Sequence, residues 1–188
     1  MNRICVYCGS SPGNDPAFLE AADHLGTTLA ANNIGLVYGG ASIGLMGAVA
    51  DATLRHGGEV HGVMPRSLAD KEISHPSLTE LIVTESMHER KTVMADLADG
   101  FIALPGGLGT FEELFEIWTW AQLGFHQKPI GVLNSQNFFD PLLAFLDQSS
   151  SAGFVKPAHR EMLLVSSDPE ELLTRFTAYQ PPSTSKLS

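Results

Sequence analysis

Seven short apolar runs, separated by longer amphipathic stretches, constrain this chain more than any other feature. The runs are built around Val6, Val37, Val63, Ile82, Ile102, Val132 and Leu164. Most are continuous rather than alternating, so both faces of the strands they form must be covered. The stretches between them carry apolar residues at helical spacing, as Phe18, Ala22, Leu25 and Leu29 do. Strands and helices in strict alternation imply an α/β chain with a Rossmann-like, doubly wound parallel sheet and helices on both faces. Residues 1–179 read as one nucleotide-binding α/β domain. The Pro/Ser/Thr-rich tail, 180–188, reads as disordered.

Composition narrows the partners. The chain has 188 residues, 44% hydrophobic and 17% charged, enough to build a packed core. Its formal net charge is −10 and its 11 lysines and arginines are scattered, so the basic stripe of a nucleic-acid binder is missing. An anionic ligand must be held by local N–H groups and a few placed cations. No apolar stretch approaches the roughly 20 residues of a membrane span. Met1-Asn2-Arg3 runs straight into the first strand, without a signal peptide. The two cysteines, Cys5 and Cys8, have Cys-x-x-Cys spacing. Zinc would need a second ligand pair, and a redox motif would sit at a helix start rather than inside a strand. They read as buried reduced thiols, which points to the cytoplasm. No metal site is expected.

Two glycine-rich turns follow strands. Gly39-Gly40-Ala41-Ser42-Ile43-Gly44-Leu45-Met46-Gly47 leads from the second strand into a helix. It reads equally as close helix–strand packing or as ligand binding. Leu104-Pro105-Gly106-Gly107-Leu108-Gly109-Thr110 leads from the fifth strand into a helix that the pattern starts at Thr110. Unpaired N–H groups and the helix dipole make such a turn an anion site, most often for phosphate. Neither turn is Gly-x-Gly-x-x-Gly, no Gly-Lys-Ser/Thr occurs, and no Gly-x-Ser-x-Gly or His-Glu-x-x-His is present. Dinucleotide, P-loop, α/β-hydrolase and zincin chemistries are therefore disfavoured.

The second turn continues into carboxylates. Pro105-Gly106-Gly107-Leu108-Gly109-Thr110-Phe111-Glu112-Glu113 resembles the Pro-Gly-Gly-x-Gly-Thr-x-x-Glu motif of the LOG ("lonely guy") family, the cytokinin riboside 5′-monophosphate phosphoribohydrolases. Met87-His88-Glu89-Arg90-Lys91 is similar to that family's second motif, and Gly39-Gly40 with Gly44-Leu45-Met46-Gly47 to its early glycine turn. Trp118-Thr119-Trp120-Ala121-Gln122-Leu123-Gly124 is similar to its helix. The family has long carried the label "lysine decarboxylase", but no pattern here marks a pyridoxal phosphate site.

The resemblance implies hydrolysis of the N-glycosidic bond of N6-modified AMP, AMP or both, giving free base and ribose 5-phosphate, without a cofactor. It implies Arg90 and Glu113 as catalytic residues. Glu113 would stabilise an oxocarbenium-like sugar, and Arg90 the departing base as a fixed charge. Gly106, Gly107, Leu108, Gly109 and Thr110 would bind the phosphate. Gly40, Met46, Lys91, Glu112 and Thr119 are further contact positions. It also implies a homodimer whose active site draws on both subunits.

Local readings compete. Thr110-x-x-Glu113 is itself a capping box, so Glu113 could cap its helix. Arg90 could be a solvated charge and Glu112 a first-turn acid. One segment departs from the plant members: residues 66–77 form a longer polar stretch, read as an irregular loop. Glu72 is the nearest acid to the family's contact glutamate there. Two other functions compete: a broad-specificity nucleoside monophosphate nucleosidase, and a nucleotide-binding module without turnover.

Overall fold

The computed structural model describes residues 1–69 and 74–182. The chain runs β1 (Arg3–Tyr7), α1 (Pro16–Ala31), β2 (Gly35–Tyr38), α2 (Gly44–Arg55), β3 (Val60–Pro65), α3 (Arg66–Ala69), β4 (Glu80–Thr84), α4 (Met87–Leu97) and β5 (Gly100–Ala103). It continues through α5 (Leu108–Leu123), β6 (Ile130–Leu133), α6 (Asp140–Ser151), α7 (Pro157–Arg160), β7 (Leu163–Ser166) and α8 (Pro169–Thr177). The strands form one parallel sheet in the order β4-β3-β2-β1-β5-β6-β7. The order reverses at β1, where Ile4 pairs with Leu36 on one side and Gly100 on the other. The crevice above such a switch is where open α/β sheets bind ligands.

Alternation along β1 divides the core. Ile4 and Val6 face α1, α2 and α8, packing with Leu25, Leu29, Val49 and Phe176. Cys5 and Tyr7 face α4, α5 and α6, packing with Met94, Leu114, Ile117 and Leu146. Both cysteines are free and buried, and burial pushes both thiols well above their usual pKa. No helix among the described residues is long and apolar enough to cross a membrane.

Capping follows the sequence closely. Asp15 accepts the Ala17 N–H and Asp168 the Glu170 N–H, each with proline next in the chain. Ser86 accepts the Glu89 N–H at 3.1 Å, whereas Glu89 reaches past Ser86 to the Glu85 N–H at 2.8 Å. That start turns Arg90, Lys91 and Met94 inward.

Three elements differ from the sequence reading. The 66–77 segment is not irregular throughout: α3 opens it, Ser74 pairs with Ala41 in an isolated antiparallel bridge, and His75 is buried. The edge strand β4 exposes Leu81 and Val83, because it has no neighbour beyond it. Helix α5 begins at Leu108, two residues before Thr110, because Gly107 takes the N-cap position. Glu72 and residues 183–188 of the tail lie outside the described residues.

Candidate active site

A cavity of about 490 Å³ lies over the carboxyl ends of β1, β2 and β3, beside the N-termini of α4 and α5. Its polar lining includes Gly107, Gly109, Thr110, Glu112, Glu113 and Arg90, and its apolar lining includes Ile43, Met46, Met64, Leu68 and Met87.

The two glycine turns behave differently here. At α2 the Leu45 and Met46 N–H groups donate to the Gly9 carbonyl, at 3.0 and 3.3 Å. The loop after β1 thus caps α2 from within the chain, leaving those donors nothing to give a ligand. At α5 the first intrahelical bond is Phe111 N–H to Gly107 O, 3.1 Å. The N–H groups of Leu108, Gly109 and Thr110 meet no acceptor among the described residues.

The glycines tell the same story. A Cβ on Gly47 would lie 2.3 Å from the Ser42 carbonyl oxygen, and one on Gly106 would lie 2.1 Å from Thr110 Oγ1. Those positions are glycine because the chain packs against them. A Cβ on Gly107 or Gly109 would meet nothing within 4 Å, and neither has a positive φ. Protein packing does not require glycine at either place, whereas a ligand approaching the backbone does.

Behind this turn lies an ion pair. Arg90 Nη1 donates to Glu113 Oε1 at 2.6 Å, and the two side chains are 7% and 8% exposed. Arg90 Nε donates to the Val63 carbonyl at 3.0 Å. A Cβ on Gly39 would come within 2.6 Å of Arg90 Nη2, so this glycine leaves room for the guanidinium. Glu113 is the sixth residue of α5, too far along to cap it. The capping-box alternative is thereby removed. Burial pushes the Glu113 carboxyl above its usual pKa, against the opposing pull of Arg90.

The remaining sequence candidates divide. Met46 lines the cavity. Gly40 has φ +82° and gives its carbonyl to the His75 N–H, while Gly39 and Ala41 line the cavity beside it. Lys91 points to α5, donating to Glu112 at 2.5 Å and Glu116 at 3.0 Å. Burial opposes its charge, but those two carboxylates outweigh burial and raise its pKa. Thr119 lies outside this cavity. It is exposed, bonds the Phe115 carbonyl, and lines a separate groove with Trp118 and His159. Leu68 and Met64 were not singled out from sequence; only the β2–β3 pairing and the turn of α3 bring them to the cleft.

Fold and cleft define a Rossmann-like α/β protein whose cleft opens at the switch point of its parallel sheet. Comparison gives the family. A family model described as "possible lysine decarboxylase" matches residues 46–176. The cytokinin riboside 5′-monophosphate phosphoribohydrolase LOG1 of Arabidopsis thaliana is 46% identical over 181 residues, covering 96% of this chain and 85% of the relative. The LOG enzyme of Oryza sativa subsp. japonica is 48% identical over 181 residues, covering 96% and 75%. The chain belongs to the LOG family. Among solved structures, a molybdenum cofactor binding protein from Rippkaea orientalis superposes with a TM-score of 0.72 at 21% identity, covering 94% of this chain and 96% of that one. The molybdenum cofactor carrier protein of Chlamydomonas reinhardtii gives 0.71 at 20%, covering 95% and 99%. These two share the fold.

Proposed function

We propose that the protein hydrolyses the N-glycosidic bond of cytokinin riboside 5′-monophosphates and AMP, releasing free base and ribose 5-phosphate. The observation that carries this reading is the buried Arg90–Glu113 pair set beside an open, glycine-lined helix start. The 5′-phosphate accepts the Leu108, Gly109 and Thr110 N–H groups. Glu113 lies three to five residues further along α5, about 4.5–7.5 Å of helix rise, a span suited to the ribose between phosphate and anomeric carbon. There the carboxylate stabilises positive charge on the sugar and orients the attacking water. As the C–N bond breaks, a water oxygen bonds to the anomeric carbon and the base gains a proton. Arg90 offsets the negative charge that builds on the base. The chemistry asks for no cofactor.

The apolar part of the lining supports a base recognised by shape. Methionine adapts to differing outlines, which suits both AMP and its N6-alkylated forms. Such a surface also favours a second reading in which other purine monophosphates are cleaved.

A homodimer with shared sites would account for Thr119. Leu108, Glu112, Phe115 and Thr119 form an exposed stripe along α5, with Thr119 about 16 Å beyond the cleft mouth. That stripe suits a second α5 better than water, and pairing would carry Thr119 towards the partner's cleft. The buried free thiols fit a cytoplasmic location.

The test is a substrate panel. Isopentenyladenosine 5′-monophosphate and AMP should both release base, and the corresponding nucleosides should react poorly. Tight nucleotide binding without base release would sink the reading in favour of a carrier, and cleavage of pyrimidine monophosphates would replace it with a broad nucleosidase.

A further inference from the structure

A buried histidine lies outside the cleft. His75 is 8% exposed and fully engaged. Its backbone N–H donates to the Gly40 carbonyl at 2.9 Å, and its neighbour Ser74 bridges to Ala41. Its ring Nδ1 accepts the Ser77 N–H at 3.2 Å, and its Nε2 lies 3.0 Å from Asp51 Oδ1 on α2. A backbone N–H can only donate, so Nδ1 carries the lone pair. The proton is then on Nε2, directed at the Asp51 carboxylate. The imidazole thus ties the chain before β4 to α2, and the backbone N–H of the same residue ties it to the β2–α2 turn.

We propose that His75 is a positioning residue for the Arg90–Glu113 centre, acting through the Gly39-Gly40-Ala41 turn. This rests on the hydrolytic reading above. The turn is the wall against which Arg90 sits, since Gly39 meets Nη2 closely and Ala41 lines the cleft. Tyr38 holds the same turn from below, its hydroxyl donating to the Ala41 carbonyl at 3.1 Å. Gly40 adopts φ +82°, which glycine reaches without strain, so the contacts around it fix the shape of the turn. Removing the imidazole takes away the anchors at Asp51 and Ser77 that hold this backbone N–H against the Gly40 carbonyl, and so loosens the turn on the cleft side. The phosphate donors on α5 are unaffected, because no contact of His75 reaches them. The loss should therefore fall on turnover rather than on nucleotide affinity.

The experiment uses the full chain as wild type, His75→Ala, His75→Asn and Asp51→Asn. His75→Ala should lower kcat by about tenfold to a hundredfold, as misplacement of a catalytic group does, with KM changed by less than about threefold. His75→Asn keeps an acceptor for the Ser77 N–H, and Asp51→Asn keeps one for Nε2–H. Both should recover most of the turnover. Rates are compared per folded molecule, measured by circular dichroism. A second readout does not need activity: the Arg90 Nε–H resonance, assigned by its loss in Arg90→Lys, should shift or exchange faster in His75→Ala. An unchanged kcat, a KM effect larger than the kcat effect, or an unmoved Arg90 resonance overturns the proposal. If His75→Ala does not fold, His75→Leu, which fills the space but makes neither side-chain hydrogen bond, decides by the same criteria. If the wild type cleaves no nucleotide, the hydrolytic reading falls, and the Arg90 resonance alone decides whether His75 positions that side chain.

Discussion

The turns into α2 and α5 look alike in sequence and do opposite work in the structure. Both follow a strand, both are rich in glycine, and both start a helix. At α2 the donors are taken by the Gly9 carbonyl, and the glycines are required by contacts with Ser10 and Ser42. At α5 the donors meet no acceptor among the described residues, and two glycines border open space. One turn is a joint between the β1 loop and a helix, and the other is an open helix start, where the proposed function puts the phosphate. A glycine-rich motif therefore identifies a close approach. What makes the approach, backbone or ligand, depends on the rest of the fold.

The contrast can be broken by substitution. The largest effect is expected behind the open turn. Glu113→Gln should lower kcat by about 10²–10³-fold, the range for removing one preorganised electrostatic partner, while nucleotide still binds. Single-turnover base release together with calorimetric binding checks this. Unchanged turnover would remove Glu113 from the chemistry.

The next pair sets the two turns against each other. Gly109→Ala puts a methyl where the phosphate should sit, so KM should rise by about tenfold, the cost of one good charge-assisted contact. Its stability should hold or gain by about 0.5–1 kcal/mol, because alanine is the better helix former. Gly47→Ala should do the reverse. Its methyl meets the Ser42 backbone, so stability should fall by about 1–3 kcal/mol, with KM little changed in the molecules that remain folded. Urea unfolding and steady-state kinetics on both variants decide the matter. Equal phenotypes would mean that the two turns do the same job after all.

A pH series sharpens the comparison further. Burial raises the Glu113 pKa, so the folded chain holds this proton at a pH where the unfolded chain has released it. The contribution of this group to stability therefore grows as pH falls through that window. Turnover needs the carboxylate and should fall in the same direction. On acidification kcat should thus drop at a pH above the usual glutamate range, without a matching loss of stability from this group. Kinetics and thermal unfolding over one buffer series test it. An acid limb at the ordinary glutamate pKa would contradict the assignment. The smallest effect is expected at Glu112, whose side chain is 54% exposed beside Lys91. An exposed partner of this kind contributes about 0–1 kcal/mol, so Glu112→Gln should leave melting almost unchanged and move KM only slightly.

Most of the architecture was legible before any coordinates. Strand and helix positions follow from apolar runs and helical spacing, which are local properties. The caps at Asp15, Ser86 and Asp168 are equally local, because each residue bonds an N–H two or three positions away. Alternation of strands and helices then implied the parallel sheet, since short parallel connections need a helix to cross over. The motifs around Arg90 and Glu113 pointed to the same cleft.

What the sequence determined by itself, then, is the set of elements, the sheet type and the residues worth suspecting. Tertiary structure decided what each of those residues does. Glu113 was open to capping or catalysis until Gly107 took the cap and started α5 two residues early. Its bond to Arg90 spans 23 positions, and the loop that closes α2 comes from the other end of the β1–β2 unit. Thr119 shares the helix of Glu113 yet faces a different groove. The physical reason is range. Backbone preferences and caps are settled within a few residues, whereas whether a donor is free, a charge is buried or a glycine faces space depends on chain brought from far away.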